Sequence, residues 1–63
     1  MTILSLEQIA TKLESENSAD RMVALANLRN VSAEEAVPLI KKVLNDKSLQ
    51  VRSMAVFALG VKP

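Results

Sequence analysis

The 63-residue chain contains no His, Cys, Trp or Tyr, and its only aromatic side chain is Phe57. Without cysteine there are no disulfide staples and no thiolate nucleophiles. Without histidine there is no imidazole base, and with both missing there is no zinc site of a Cys/His type. No charge of one sign dominates. Residues 1–31 carry three basic and four acidic side chains and residues 32–63 five and three, so the halves sum to −1 and +2 and the chain to +1. Neither half is a polyelectrolyte that would be steered over long range toward nucleic acid or an anionic membrane. Uninterrupted apolar runs are also short, none approaching the roughly 20 residues that span a bilayer. The opening Met1-Thr2-Ile3-Leu4-Ser5-Leu6 lacks the basic region and apolar run of a signal peptide. The expectation is a cytoplasmic protein with no membrane and no nucleic-acid partner.

What remains is a chain 49% apolar and 24% charged, able to fold and poor in reactive groups. Its length allows one domain, which would hide only about 60% of the surface exposed by the unfolded chain.

The apolar spacing is helical throughout. Leu6, Ile9, Ala10 and Leu13 recur at i, i+3, i+4 and i+7 and so share one stripe of a helix. Ser5 with Gln8 three residues on predicts a capping box, and Leu4 and Ile9 are spaced for a hydrophobic staple. The polar run Glu14-Ser15-Glu16-Asn17-Ser18 predicts a turn. A second helix is expected from about Ala19 to Arg29, and Ser32 with Glu35 predicts a second capping box at the head of a third. Pro38 falls within that third helix, so the spacing predicts either a kink there or a start near Ala36 with Pro38 in the first turn. After the turn Asn45-Asp46-Lys47-Ser48, a fourth helix runs from about Leu49 to Leu59, with Gly60 expected as its C′ stop.

Superposing the halves at an offset of 31 residues pairs five identical side chains: Ile9 with Ile40, Leu13 with Leu44, Arg21 with Arg52, Ala24 with Ala55 and Leu28 with Leu59. Shared amphipathicity explains the apolar matches but not the arginine. A period near 31 residues built from two antiparallel helices is the signature of an α-solenoid. The expected architecture is all-α: a solenoid fragment of two helical hairpins, residues 3–31 and 32–63.

The segment Asp46 to Gly60, DKSLQVRSMAVFALG, resembles the short HEAT-like repeat found in phycobilisome lyase subunits, through Asp46, Val51, Arg52, Ala55, Ala58, Leu59 and Gly60. The preceding EEAVPLIKKVL is similar to the first helix of that repeat, proline included. The resemblance covers residues 33–63 well and residues 3–32 more weakly. It implies that Asp46 caps its turn and that Arg52, with Arg21, joins a polar ladder along a stack of hairpins. It also implies an alternative function, that of a subunit or fragment of a bilin lyase or phycobiliprotein-associated chaperone, which would bind a linear tetrapyrrole or a phycobiliprotein subunit. A fold-level resemblance specifies a function less well than a fold.

The first copy departs from the second where it has Ser15 for Asp46, Asp20 for Val51, Asn27 for Ala58 and Arg29 for Gly60. Asp20 and Asn27 are seven apart on one helical face, which is therefore expected to be exposed, as in an N-terminal capping repeat of a longer array. The fourth helix has no such polar face. Met54 to Leu59 reads without a polar side chain, so Met54, Val56, Phe57 and Val61 surround the helix and cannot all face one preceding hairpin. These four residues are the predicted site of self-association or of contact with a protein partner. Arg52 is expected to meet the acid of a neighbouring turn, Asp46 above all.

The other candidates have structural explanations. Lys41, Lys42 and Lys47 lack the aromatic interleaving of a nucleic-acid patch. Glu34 and Glu35 suit the dipole of a first helical turn. The serines occupy caps and turns, with no histidine to activate them. No catalytic residue, cofactor or metal ligand is expected. The predicted function is a non-catalytic protein–protein interaction module.

Overall fold

The computed structural model describes residues 4–60, and these are all-helical, with no strand among them. Four helices follow in order: α1 Leu6–Lys12, α2 Ser18–Asn27, α3 Ala33–Lys41 and α4 Leu49–Gly60, with a 3-10 turn Leu28–Asn30 appended to α2. Helix α1 packs on α2, α3 on α4, and α2 on α4. The last contact joins the two hairpins. Ile9, Leu13, Ala24, Leu25, Leu28, Ala36, Ile40, Val43, Val51 and Ala55 form one buried cluster drawn from both. Four of the five pairs of identical residues contribute to it, with Leu44 of the Leu13 pair and Leu59 of the Leu28 pair only partly buried; Arg21 is the one buried charged residue among those described.

The capping box at α1 forms in full: the Gln8 N–H donates to Ser5 Oγ at 3.2 Å, and the Ser5 N–H to Gln8 Oε1 at 2.9 Å. The second expected box does not form. Ser32 Oγ donates to the Glu35 carboxylate at 3.3 Å, so the two side chains satisfy each other, and the Glu35 N–H turns to the Ser32 carbonyl at 3.1 Å. Helix α3 begins at Ala33 with Ser32 at its N-cap position, as the spacing of Ser32 and Glu35 predicts, and Pro38 sits inside it, so of the two alternatives for Pro38 the start near Ala36 does not hold. Pro38 and Glu34, four residues back, are both exposed, so the carbonyl that Pro38 leaves without a donor is within reach of water.

The end of α3 tightens. Lys42, Val43 and Leu44 donate to Leu39, Ile40 and Lys41, three residues back, which carries Val43 into the core after the α-helix has ended. Gly60 is the last residue of α4 and has no positive φ, so it is not the left-handed C′ residue expected from its position. The continuing apolar pattern up to Leu59 keeps it helical instead.

Candidate functional site: the open face of α4 and the Arg21, Asp46 and Arg52 cluster

The two hairpins repeat a local motif at the offset of 31. In the first, Arg21 Nη1 donates to the Ser15 carbonyl at 2.6 Å, and the Asn17 N–H donates to Ser15 Oγ at 3.1 Å. In the second, Arg52 Nη1 donates to the Asp46 carbonyl at 2.8 Å, and the Ser48 N–H donates to Asp46 Oδ1 at 2.8 Å. Each arginine thus clasps the backbone six residues before it, while the polar side chain at that residue closes a turn by accepting a hydrogen bond two residues on.

The copies differ in what else the guanidinium holds. Arg21 reaches across the inter-hairpin contact to the turn before α4, where Nη2 donates to Asp46 Oδ1 at 3.0 Å and Nε lies 2.8 Å from Oδ2. The Nε contact is an ion pair by distance but not an aligned hydrogen bond, because the N–H is angled off the oxygen. Both side chains are more than nine-tenths buried. Burial by itself pushes the Asp46 carboxyl up, but the Ser48 N–H, the Arg21 hydrogen bond and the charges of Arg21 and Lys47 together hold it below its ordinary value. Asp46 is therefore a fixed anion inside the joint between the hairpins.

Arg52 differs from the expectation made for it. It meets Asp46 only at the backbone carbonyl, because Arg21 already occupies the carboxylate. Among the described residues no carboxylate lies within ion-pair distance of Arg52, which is only partly buried. The expected pairing of Arg52 with the Asp46 acid group is thus replaced by Arg21 across the joint. Sequence separation hid this contact, which spans 25 residues.

The predicted apolar site divides between two faces. Val56 is 61% exposed and Phe57 68% exposed, while Met54 is partly buried against the core. Val61 lies outside the described residues. Met54 and Phe57 line a groove of about 520 Å³ between α2 and α4, together with Leu25, Ala26, Leu28 and Arg29. Val56 lies instead on the stripe Leu49, Arg52, Val56 and Leu59, spaced i, i+3, i+7 and i+10. Leu49, 65% exposed, was not singled out from the sequence; its spacing from Arg52 and Val56 was the signal that marks it.

Helix α2 carries the equivalent stripe Ser18, Arg21, Leu25 and Leu28. There Arg21 is 4% exposed, Leu25 2% and Leu28 1%. The face that the second hairpin covers on α2 is open on α4 at Leu49 and Val56, while Arg52 and Leu59 are partly buried.

Asp20 and Asn27, expected on an exposed face, are each partly covered and partnered. Asp20 accepts a hydrogen bond from Ser15 Oγ at 3.0 Å and lies 4.0 Å from Lys12 Nζ. Asn27 Oδ1 accepts from the Leu4 N–H at 3.4 Å, and its Nδ2 donates to the Val23 carbonyl at 3.0 Å. The residue before the cap of α1 meets this face at Asn27, and the end of α1 with the turn after it meets it at Asp20. Where the second copy has apolar Val51 and Ala58, the first has Asp20 holding the turn between α1 and α2 and Asn27 holding Leu4 ahead of α1.

No family model, no curated protein and no solved structure matches the chain. Among the described residues no helix is long and apolar enough to cross a membrane.

Proposed function

We propose that the chain is a non-catalytic protein–protein interaction module, two HEAT-like hairpins of a helical solenoid that dock a protein through α4. The observation that carries this reading is the exposure of Leu49, Val56 and Phe57 on one helix, where the equivalent helix of the first hairpin buries Leu25 under its neighbour. Three large apolar side chains at more than half exposure stand on one short helix, Leu49 and Val56 on one stripe and Phe57 beside the groove, and apolar surface left open in this way is of the kind that marks an interaction site. Phe57 is the anchor, as the only aromatic side chain and as part of the wall of the groove beside α2. The repeated clasp of arginine on turn supports the solenoid reading, since equivalent geometry at a constant offset is how stacked repeats keep register.

Such a surface offers itself to a copy of the chain when no partner is present. Sedimentation of the wild type and of Phe57→Ser over a wide concentration range, with helicity followed at each concentration, tests the reading. Association of the wild type that Phe57→Ser weakens is expected. A wild-type chain that stays a well-folded monomer at the highest concentration overturns it.

A further inference from the structure

We propose that the groove between α2 and α4 is a binding site for a small aliphatic carboxylate, its alkyl chain lying against Met54 and Phe57 and its anionic head meeting Arg29. This goes beyond protein docking through α4. Neither Leu49 nor Val56 lines the groove, so a ligand there leaves that stripe free, and only Phe57 is common to both surfaces.

The groove exists because the hairpins differ at equivalent positions. At the offset of 31, Ala26 on α2 corresponds to Phe57 on α4, and Arg29 to Gly60. Ala26 and Phe57 both line the groove, so one wall carries a methyl group where the other carries a ring, and the volume missing from α2 leaves the space open. Leu25, Leu28 and Ile40, each exposed by 2% or less, close it underneath with core side chains. The resulting volume of about 520 Å³ falls within the range of about 300–1,000 Å³ that holds small molecules in other proteins.

The polar lining selects the head group. Arg29 and Ser53 supply it, and no acidic side chain lines the groove. Among the described residues no carboxylate lies within ion-pair distance of Arg29, which is exposed. Arg21 and Arg52 are explained by the repeat, but Arg29 has no counterpart in the second copy. A single cation beside an apolar slot fits a ligand with an apolar body and one negative charge. The planar guanidinium matches both oxygens of a carboxylate, and the Ser53 hydroxyl is a further donor in the same lining.

The test titrates hexanoate, octanoate, decanoate and octan-1-ol, below their micellar concentrations, into the full chain at concentrations where it is monomeric. Backbone amide shifts are followed for the wild type, Arg29→Gln and Ala26→Leu, and self-association of the wild type and Ala26→Leu is compared by sedimentation. Saturable binding is expected, with shifts centred on Ala26, Arg29 and Phe57. Affinity should rise about fourfold for each methylene added. Arg29→Gln should weaken octanoate about fivefold and leave octan-1-ol unchanged. Ala26 is exposed and leucine is a good helix former, so Ala26→Leu should keep its helicity while filling the slot and weakening octanoate by about tenfold or more. Its self-association should match the wild type. Equal binding of octanoate and octan-1-ol, with no effect of Arg29→Gln, overturns the carboxylate. Shifts centred on Leu49 and Val56, or octanoate binding unchanged in a folded Ala26→Leu chain, overturn the placement. No saturable binding by any of the four ligands overturns the site. Loss of self-association on Ala26→Leu makes a second copy the occupant and overturns the small ligand.

Discussion

Helices α2 and α4 share a sequence pattern at an offset of 31 residues and differ in what covers it. Both carry an arginine that clasps its own turn, a buried alanine three residues along, and an apolar stripe four and seven residues along. On α2 that stripe is covered and its arginine is more than nine-tenths buried in an ion pair; on α4 Val56 is open, Leu59 is partly buried against the core, and the arginine holds only a backbone carbonyl. The same residue type at the same register thus pins the joint between the hairpins in one copy and only clasps its own turn in the other. A residue's role in a stacked protein is decided by its neighbour, not by its own helix.

The sharpest way to break the comparison is to remove each arginine in turn. Arg21→Ala leaves the Asp46 carboxylate in the joint without its counter-charge, and breaking a buried pair on one side costs about 3–5 kcal/mol. In a chain this small that loss unfolds much of the population, seen as lost helicity at room temperature. Arg52→Ala removes one hydrogen bond from a partly exposed side chain and costs about 0.5–1.5 kcal/mol by urea unfolding. Equal costs for the two would erase the distinction.

The apolar stripe gives the next largest contrast. Leu25→Ala opens a void in the core and costs about 2–5 kcal/mol. Its counterpart Val56→Ala changes stability by about 0.5 kcal/mol or less in the monomer, measured at concentrations too low for association.

The joint also predicts an acid response. The Asp46 carboxyl is held below its ordinary value of 3.8 in the folded chain, so the folded state binds its proton less readily than the unfolded one. The stabilisation is fully present above that value and is lost as pH falls through the lower folded value. Acid titration of helicity should show this loss in the wild type, and Asp46→Asn should flatten it while lowering stability at neutral pH.

The smallest effect sharpens the end of α4. A Cβ built on Gly60 meets nothing within 4 Å, and the residue is helical without a positive φ. Gly60→Ala should raise stability by about 0.4–1 kcal/mol through the lower entropy of the unfolded chain. A loss would show that the glycine serves as a left-handed stop after all.

Much of this was legible along the chain because it is local. The period of the apolar residues announces four helices, and Ser5 with Gln8 announces the cap that forms. The paired Arg21 and Arg52 announce a repeated element because no amphipathic pattern calls for an arginine there. Local rules also fail where two side chains compete: Ser32 and Glu35 have capping-box spacing, yet they bond each other. Pro38 reads as a helix boundary, but an exposed turn can leave its carbonyl to water.

What the sequence by itself determined is the helical class and the offset of 31, while the clasp that each arginine makes on a backbone carbonyl six residues back came from the structure, spacing having pointed Arg52 to the Asp46 acid group instead. Which arginine holds the Asp46 carboxylate was decided by the tertiary structure alone. From spacing, Arg52 is the nearer candidate, six residues away against 25 for Arg21. Packing α2 on α4 brings Arg21 to the carboxylate and removes both from water, and the backbone carbonyl of Asp46 is what remains for Arg52. The charge pair follows the stacking because only in the covered joint is the carboxylate deprived of water and in need of a fixed cation.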